Sequence, residues 1–278
     1  MSADESSEYL TTQLLTYLGN KRALLPFLGA GVESVKKSLG KERLTFFDAF
    51  SGSGIVSRYM KRHASLIVAN DLERYSEVVN RCYLTNRADF DEKAFDAVFR
   101  EWVGYTRTHL APGSICSLYA PRDDAHIQKG ERAFYTRENA ILLDSARRAL
   151  DAVVPARYFN LVLAPLLTEA SIHTNTAGVF KGFYKDRRGV GTFGGEGRNA
   201  LSRICGKVEL QKPVLCGVDD NEADFVHMGV KKNMTVSGSS FFEGDHVSHF
   251  IDAKGGAKGP GSLHNRFSYF PFVAGCAV

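Results

Sequence analysis

Residues 44–60 read LTFFDAFSGSGIVSRYM, and no other stretch restricts the fold as tightly. RLTFFDAF (43–50) is apolar and aromatic, as a buried strand is. Gly52 and Gly54 then mark a tight turn, and IVSRYMKRH follows with the pattern of a short helix. ASLIVANDL (64–72) is a second buried strand that ends on Asn70 and Asp71, and ERYSEVVNRCYL after it has a helical period. Residues 43–84 are thus expected to run strand–helix–strand–helix, the opening of a doubly wound α/β sheet.

The first strand delivers an acid, Asp48, directly in front of the glycine turn. A dinucleotide fingerprint needs G-x-G-x-x-G, and here Gly52 and Gly54 are followed by Ser57 where the third glycine belongs. A pyrophosphate would be repelled by Asp48, whereas a ligand with an amino group and a sulfonium would be attracted. S-adenosyl-L-methionine (AdoMet) is such a ligand, and glycines let it approach the backbone. Asp71 is placed to accept hydrogen bonds from ribose hydroxyls. Two other readings stand beside this one: a β–turn–α corner with no ligand, and a Rossmann-like oxidoreductase that dispenses with the third glycine.

The 278 residues suffice for one large domain or a domain with an insertion, and 44% hydrophobic with 24% charged residues is ordinary for a globular chain. A net charge of +4 permits nucleic acid as a partner without demanding it. The start, MSADESSEYL, lacks the basic and apolar regions of a signal peptide, and no apolar run approaches the roughly 20 residues of a membrane span. Five scattered cysteines, none spaced C-x-x-C, speak against a disulfide framework and structural zinc. Cytoplasmic localisation and no metal are the expectations.

Leu14, Leu15, Leu18 and then Leu24, Leu25 and Leu28 suggest two short apolar-faced segments around GNK. Residues 94–110 read as a helix, and the stretch from Ala111 to Thr136 as loop-rich. Thr136 can cap a helix carrying Leu142, Ala146, Leu150 and Val153 on one face. RYFNLVLAPLLTEASIHT predicts a buried helix bent near Pro165, and KVELQKPVLCGV (207–218) a strand or hairpin. Beyond about residue 235 no period of either kind persists. Between these lies NTAGVFKGFYKDRRGVGTFGGEGRNALSRI (175–204), rich in glycine, aromatics and basic side chains. Its cations could neutralise phosphates, or form a solvated basic loop.

DAFSGSG followed by VANDL resembles the AdoMet motif and ribose-binding acid of Dam-like DNA adenine-N6 methyltransferases. YLGNKRALLPFL (17–28) resembles their N-terminal motif, and NTAGVFKGFY (175–184) the N-x-x-G-x-F segment of their recognition region. The order of motifs is that of the α group, and YAPRDD, GERAFYTRENA and FKGFYKD look closest to the FokI-type branch. The resemblance implies an incomplete Rossmann-like AdoMet-dependent methyltransferase sheet with a mostly helical target-recognition insertion. It implies an AdoMet-binding half over 1–90, a recognition region over 91–205, a return to the sheet over 206–235 and an irregular tail over 236–278. Tyr17, Lys21, Asp48, Phe50, Gly52, Gly54 and Asp71 would hold AdoMet, and Asn175, Lys181, Tyr184, Lys185, Arg187 and Arg188 would meet double-stranded DNA.

The implied activity is site-specific methylation of adenine N6 in a restriction–modification setting, with a cognate endonuclease as functional partner. The family's base pocket carries Asp/Asn/Ser-Pro-Pro-Tyr/Phe, and these 278 residues contain no Pro-Pro pair, so no catalytic residue is assigned. Asp219, Asp220 and Asn221 offer polar atoms, but no aromatic follows in a stacking position. A tail foreign to the family and a catalytically dead AdoMet- or DNA-binding remnant are the readings this absence raises.

Overall fold

The computed structural model describes residues 9–10, 12, 14–15, 21–89, 91–176, 182–195, 199–217 and 221–226. Tyr17, Lys181, Asp219, Asp220 and the tail from 236 lie outside the described residues.

Helix α1 (Leu25–Leu39) starts with Pro26 in its first turn and stops at Gly40, whose φ of 61° is the left-handed conformation a helix end favours. Strand β1 (Leu44–Asp48) leads through the glycine turn into α2 (Ile55–Met60), then β2 (Ala64–Asn70) and α3 (Arg74–Tyr83). The expected strand–helix–strand–helix order is what forms. β1 and β2 pair in parallel, with Asp48 opposite Ala69.

The chain then leaves the sheet for α4 (Glu92–Thr108), α5 (Ser114–Tyr119), α6 (Arg137–Val153), α7 (Phe159–Ile172) and α8 (Ala200–Cys205). Asp91 caps α4 by accepting from the Ala94 amide, and Thr136 caps α6 by accepting from the Asn139 amide. On α6, Ala146 and Leu150 are fully buried as expected; Leu142 and Val153 are half-buried at the margin. Helix α7 continues through Pro165 with Leu161 to Leu167 wholly inside.

The chain returns as β3 (Glu222–Val226), parallel to β2 on the side away from β1. The order among the described residues is β1-β2-β3, a small parallel sheet in an α/β arrangement. Of the strand or hairpin expected at 207–218, the described residues 207–217 form no strand, and the next strand is β3. The Val208 and Glu209 amides are taken by the side chains of Asn139 on α6 and Glu169 on α7, and Pro213 has no amide to give. Only an isolated bridge, Asn86 to Cys216, touches a ladder there.

Among the described residues two large apolar cores form, beside a small cluster of Tyr9, Leu10 and Cys216. One joins Leu25 of α1, Ile55, Val56 and Met60 of α2 and Ile67, Ala69 and Phe225 of the sheet. The larger lies between α3 and the helices beyond it, around Val78, Val79, Trp102, Leu143 and Leu163. Buried cations stitch the N-terminal half together: Arg58 donates to the carbonyls of Tyr9 and Thr12, and Lys61 to Leu84 O and Asn86 Oδ1. Among the described residues no helix is long and apolar enough to cross a membrane, and no cluster of potential metal ligands occurs.

Candidate functional site

Parallel strands expose their C-terminal ends on one side of the sheet, and there the turn after β1 meets the turn after β2. Asp48 is the last residue of β1 and is only 7% exposed. The chain rises over it through Ala49 and Phe50, then doubles back at Gly52 (φ 52°) and Gly54 (φ 72°). Both glycines occupy the left-handed region that side chains avoid. A Cβ at Gly54 would also sit 2.7 Å from Asn80 Oδ1, so α3 is packed against the bare backbone there.

Asp71 locks the corner from the β2 side. Its Oδ2 accepts from the Gly52 amide at 2.8 Å, and its Oδ1 from the Glu73 amide at 3.0 Å. Beneath the turn lies a buried polar layer. The Ser51 amide donates to Asn70 O at 2.9 Å, Asn70 Nδ2 to Ala49 O at 2.9 Å, and Ser76 Oγ to Gly52 O at 2.7 Å. Asn80 Nδ2 reaches Ser51 Oγ at 3.1 Å. The turn is therefore held open by both strands and by α3 before any ligand arrives.

Asp48 accepts one hydrogen bond from Ser57 Oγ at 2.7 Å. Among the described residues no ion pair closes on it. Burial pushes its carboxyl above the ordinary carboxylate range, against the hydrogen bond from Ser57, the charge of Lys21 and the Phe50 amide; Asp71 adds to the rise. Lys21 bridges from the segment before α1 and donates from Nζ to Phe50 O at 3.1 Å. Phe50 holds its ring 54% exposed at the rim. Six of the seven residues expected around AdoMet are thus described, and they converge on one corner.

Ser57 was legible only as a missing glycine. It is fully buried and spends its hydroxyl on Asp48. Ser76 and Asn80 went unnoticed as site residues, though polar side chains four apart on the apolar face of a helix are a readable signal.

The basic stretch divides. Lys185, Arg187 and Arg188 are exposed on a hairpin whose strands touch at Lys185 and Gly191, and Tyr184 is half-buried with its ring against Gly195. Asn175 corrects the sequence reading. It is fully buried, and its amide donates to Ala133 O at 2.7 Å and Thr192 O at 2.9 Å, so it braces two loops and has no surface with which to touch DNA. Asn221 is likewise buried, with its side chain donating to Lys61 O.

Asp48 and Asp71 thus put two carboxylates beside a left-handed glycine turn at the C-terminal end of a parallel sheet, an arrangement whose charge would attract a cation. Residues 17–189 match the D12 class N6 adenine-specific DNA methyltransferases, and the chain belongs to that family. The family's chemistry implies AdoMet as methyl donor. Over 183 residues the chain is 28% identical to the type II methyltransferase M.NlaIII of Neisseria lactamica, covering 62% of this chain and 50% of that one. It is 28% identical over 181 residues to modification methylase LlaI of Lactococcus lactis subsp. lactis, covering 62% of this chain and 27% of the relative. It is 26% identical over 175 residues to M.CviAII of Paramecium bursaria Chlorella virus 1, covering 61% and 49%. The aligned region thus spans half or less of these curated relatives. No solved structure gives a significant match.

Proposed function

We propose that this chain carries the cofactor-holding and DNA-recognising part of a site-specific DNA adenine-N6 methyltransferase of a restriction–modification system. The observation that carries it is the corner itself: a buried Asp48, with no ion pair among the described residues, near Asp71 at a glycine turn, in a chain of the D12 family. Two features of the corner support AdoMet as its ligand. Burial raises the cost of the Asp48 charge beyond what Ser57 and the charge of Lys21 offset, and a cationic ligand would relieve it. The bare backbone at Gly54 lets Asn80 of α3 pack against the turn, which fixes the shape of the corner beside Asp48.

In this reading the sheet is an incomplete Rossmann-like methyltransferase sheet. Asp48 receives the positive part of AdoMet, and Asp71, held in place by the amides of Gly52 and Glu73, is the acid at the end of β2 that meets the ribose. Lys21 sits where it faces a ligand carboxylate, and Phe50 presents an exposed ring for stacking. Tyr17 and Lys181 join the cofactor and DNA sets by family resemblance. Once bound, AdoMet supplies an electrophilic methyl group. The protein's part is to hold and shield it, which is positioning and electrostatics. The segment from α4 to α8, with the basic hairpin after α7, is the target-recognition region, and double-stranded DNA is its partner.

One observation favours a second reading. These 278 residues contain no Pro-Pro pair, so the expected adenine pocket is missing from them, which suits a chain that binds AdoMet or DNA without transferring methyl. The test is tritiated methyl transfer to unmethylated duplex DNA, run beside AdoMet calorimetry on the same preparation. Incorporation together with binding supports the enzyme, and binding without incorporation supports the second reading. A folded chain that binds neither AdoMet nor DNA refutes both.

A further inference from the structure

The hairpin after α7 separates its two adjacent arginines. The Asp186 amide donates to Val190 O at 2.8 Å and the Gly189 amide to Asp186 O at 3.0 Å, with Gly189 at φ 78°. The Asp186 carboxylate then fills the turn: Oδ1 accepts from the amides of Arg188 at 2.8 Å and Val190 at 2.9 Å. Its Oδ2 accepts from Arg188 Nε at 3.0 Å. Arg188 is thus folded back on its own turn. Arg187 is exposed at the tip, and among the described residues no hydrogen bond or ion pair reaches its side chain.

The base of the hairpin is rigid. Asn175 ties Thr192 to Ala133, and a Cβ at Gly191 would lie 3.0 Å from the Ala133 side chain. The Phe183 ring meets Phe134 edge-on at 5.1 Å, and Phe134 meets Tyr119 at 5.7 Å. A cation rides at each end of this aromatic row: Lys185 lies 5.0 Å over Phe183, and Arg132 lies 5.6 Å over Tyr119. A firmly based hairpin turn with an exposed guanidinium at its tip and cations on its flanks can present that guanidinium to a DNA groove.

We propose, on the strength of the DNA-binding reading above, that Arg187 is the specificity-determining residue of this hairpin and reads a guanine edge. Lys185, Arg188 and Arg132 hold phosphates, and Asp186 is a positioning residue that keeps Arg187 aimed outward. A guanidinium matches guanine O6 and N7 with two parallel donors, whereas Arg188, with Nε engaged by Asp186, is left for single contacts to backbone oxygens.

The experiment is selection from a randomised duplex library by the full chain with AdoMet present, followed by sequencing of the bound fraction. Wild type is expected to enrich a motif containing guanine. Arg187→Ala is expected to lose preference at one or two neighbouring positions of that motif, with affinity for random duplex within about threefold. Arg188→Ala and Arg132→Ala are expected to keep the motif and weaken binding to all sequences, with a shallower salt dependence. Asp186→Ala is expected to blur the positions that Arg187→Ala blurs, with unchanged AdoMet affinity. An unaltered motif from Arg187→Ala overturns the assignment while leaving the DNA-binding reading intact. A folded, AdoMet-binding wild type that binds no duplex overturns the DNA-binding reading, and this assignment with it.

Discussion

The Gly52 amide donates to the Asp71 carboxylate at 2.8 Å, joining the turn after β1 to the end of β2. Because β1 and β2 are parallel neighbours, both acids stand at the same end of the sheet, and the glycine turn is held between them. The turn's backbone is thereby set before ligand binds, which spares the ligand the entropy of ordering it.

Gly54→Ala is expected to damage this corner twice over. An alanine at φ 72° costs about 1–2 kcal/mol, and its Cβ meets Asn80 Oδ1, on a side chain pinned by its bonds to Ser51 and Ser76. Thermal melting should show a loss of several degrees, and calorimetry should show no AdoMet binding. Gly31→Ala on α1 is the control. Nothing lies within 4 Å of its added Cβ, so stability should hold or rise by about 0.5–1 kcal/mol.

AdoMet affinity should depend on pH through Asp48. Burial holds its carboxyl above the ordinary carboxylate range, so its contribution to stability without ligand is complete below that range and is lost as pH rises through the raised value. A cationic ligand needs the ionised form, so affinity should climb over the same interval. Ser57→Ala removes a hydrogen bond that favours the carboxylate and should move the inflection to higher pH. Calorimetry across a pH series reads the inflection directly; an inflection that does not move in a folded Ser57→Ala variant contradicts the assigned role of Ser57.

Asn175→Ala should separate the two halves of the function. It leaves the buried carbonyl of Ala133 without its donor, at about 1–3 kcal/mol, and also frees the partly exposed carbonyl of Thr192. Duplex binding by fluorescence anisotropy should fall at least tenfold as the hairpin loses its base, while AdoMet affinity stays within twofold. Equal loss of both would place Asn175 in a shared core instead.

The corner was legible in the sequence because each signal was local. Apolar runs, two glycines and an acid at each strand end occupy the stretch from Leu44 to Asp71. The misses depended on distant partners. Helix α5 begins at Ser114 because Asp144, thirty residues on in α6, accepts from the amides of Gly113, Ile115 and Cys116. No local capping signal announces it. Residues 207–217 have strand composition, yet Asn139 and Glu169 claim their amides. Asn175 sits in a motif that resembles a recognition segment, and only the fold reveals that its polarity is turned inward.

The most direct measurement is AdoMet calorimetry on the full chain and on Asp48→Asn, with thermal melting of both in the ligand-free state. The asparagine keeps an acceptor for Ser57 Oγ and removes the buried charge. The expected result is a loss of about 10–100-fold in affinity, or roughly 1.5–3 kcal/mol, with an unchanged or higher melting temperature. A folded Asp48→Asn variant that binds AdoMet as tightly as wild type contradicts the claim that this carboxylate receives the cofactor's positive charge.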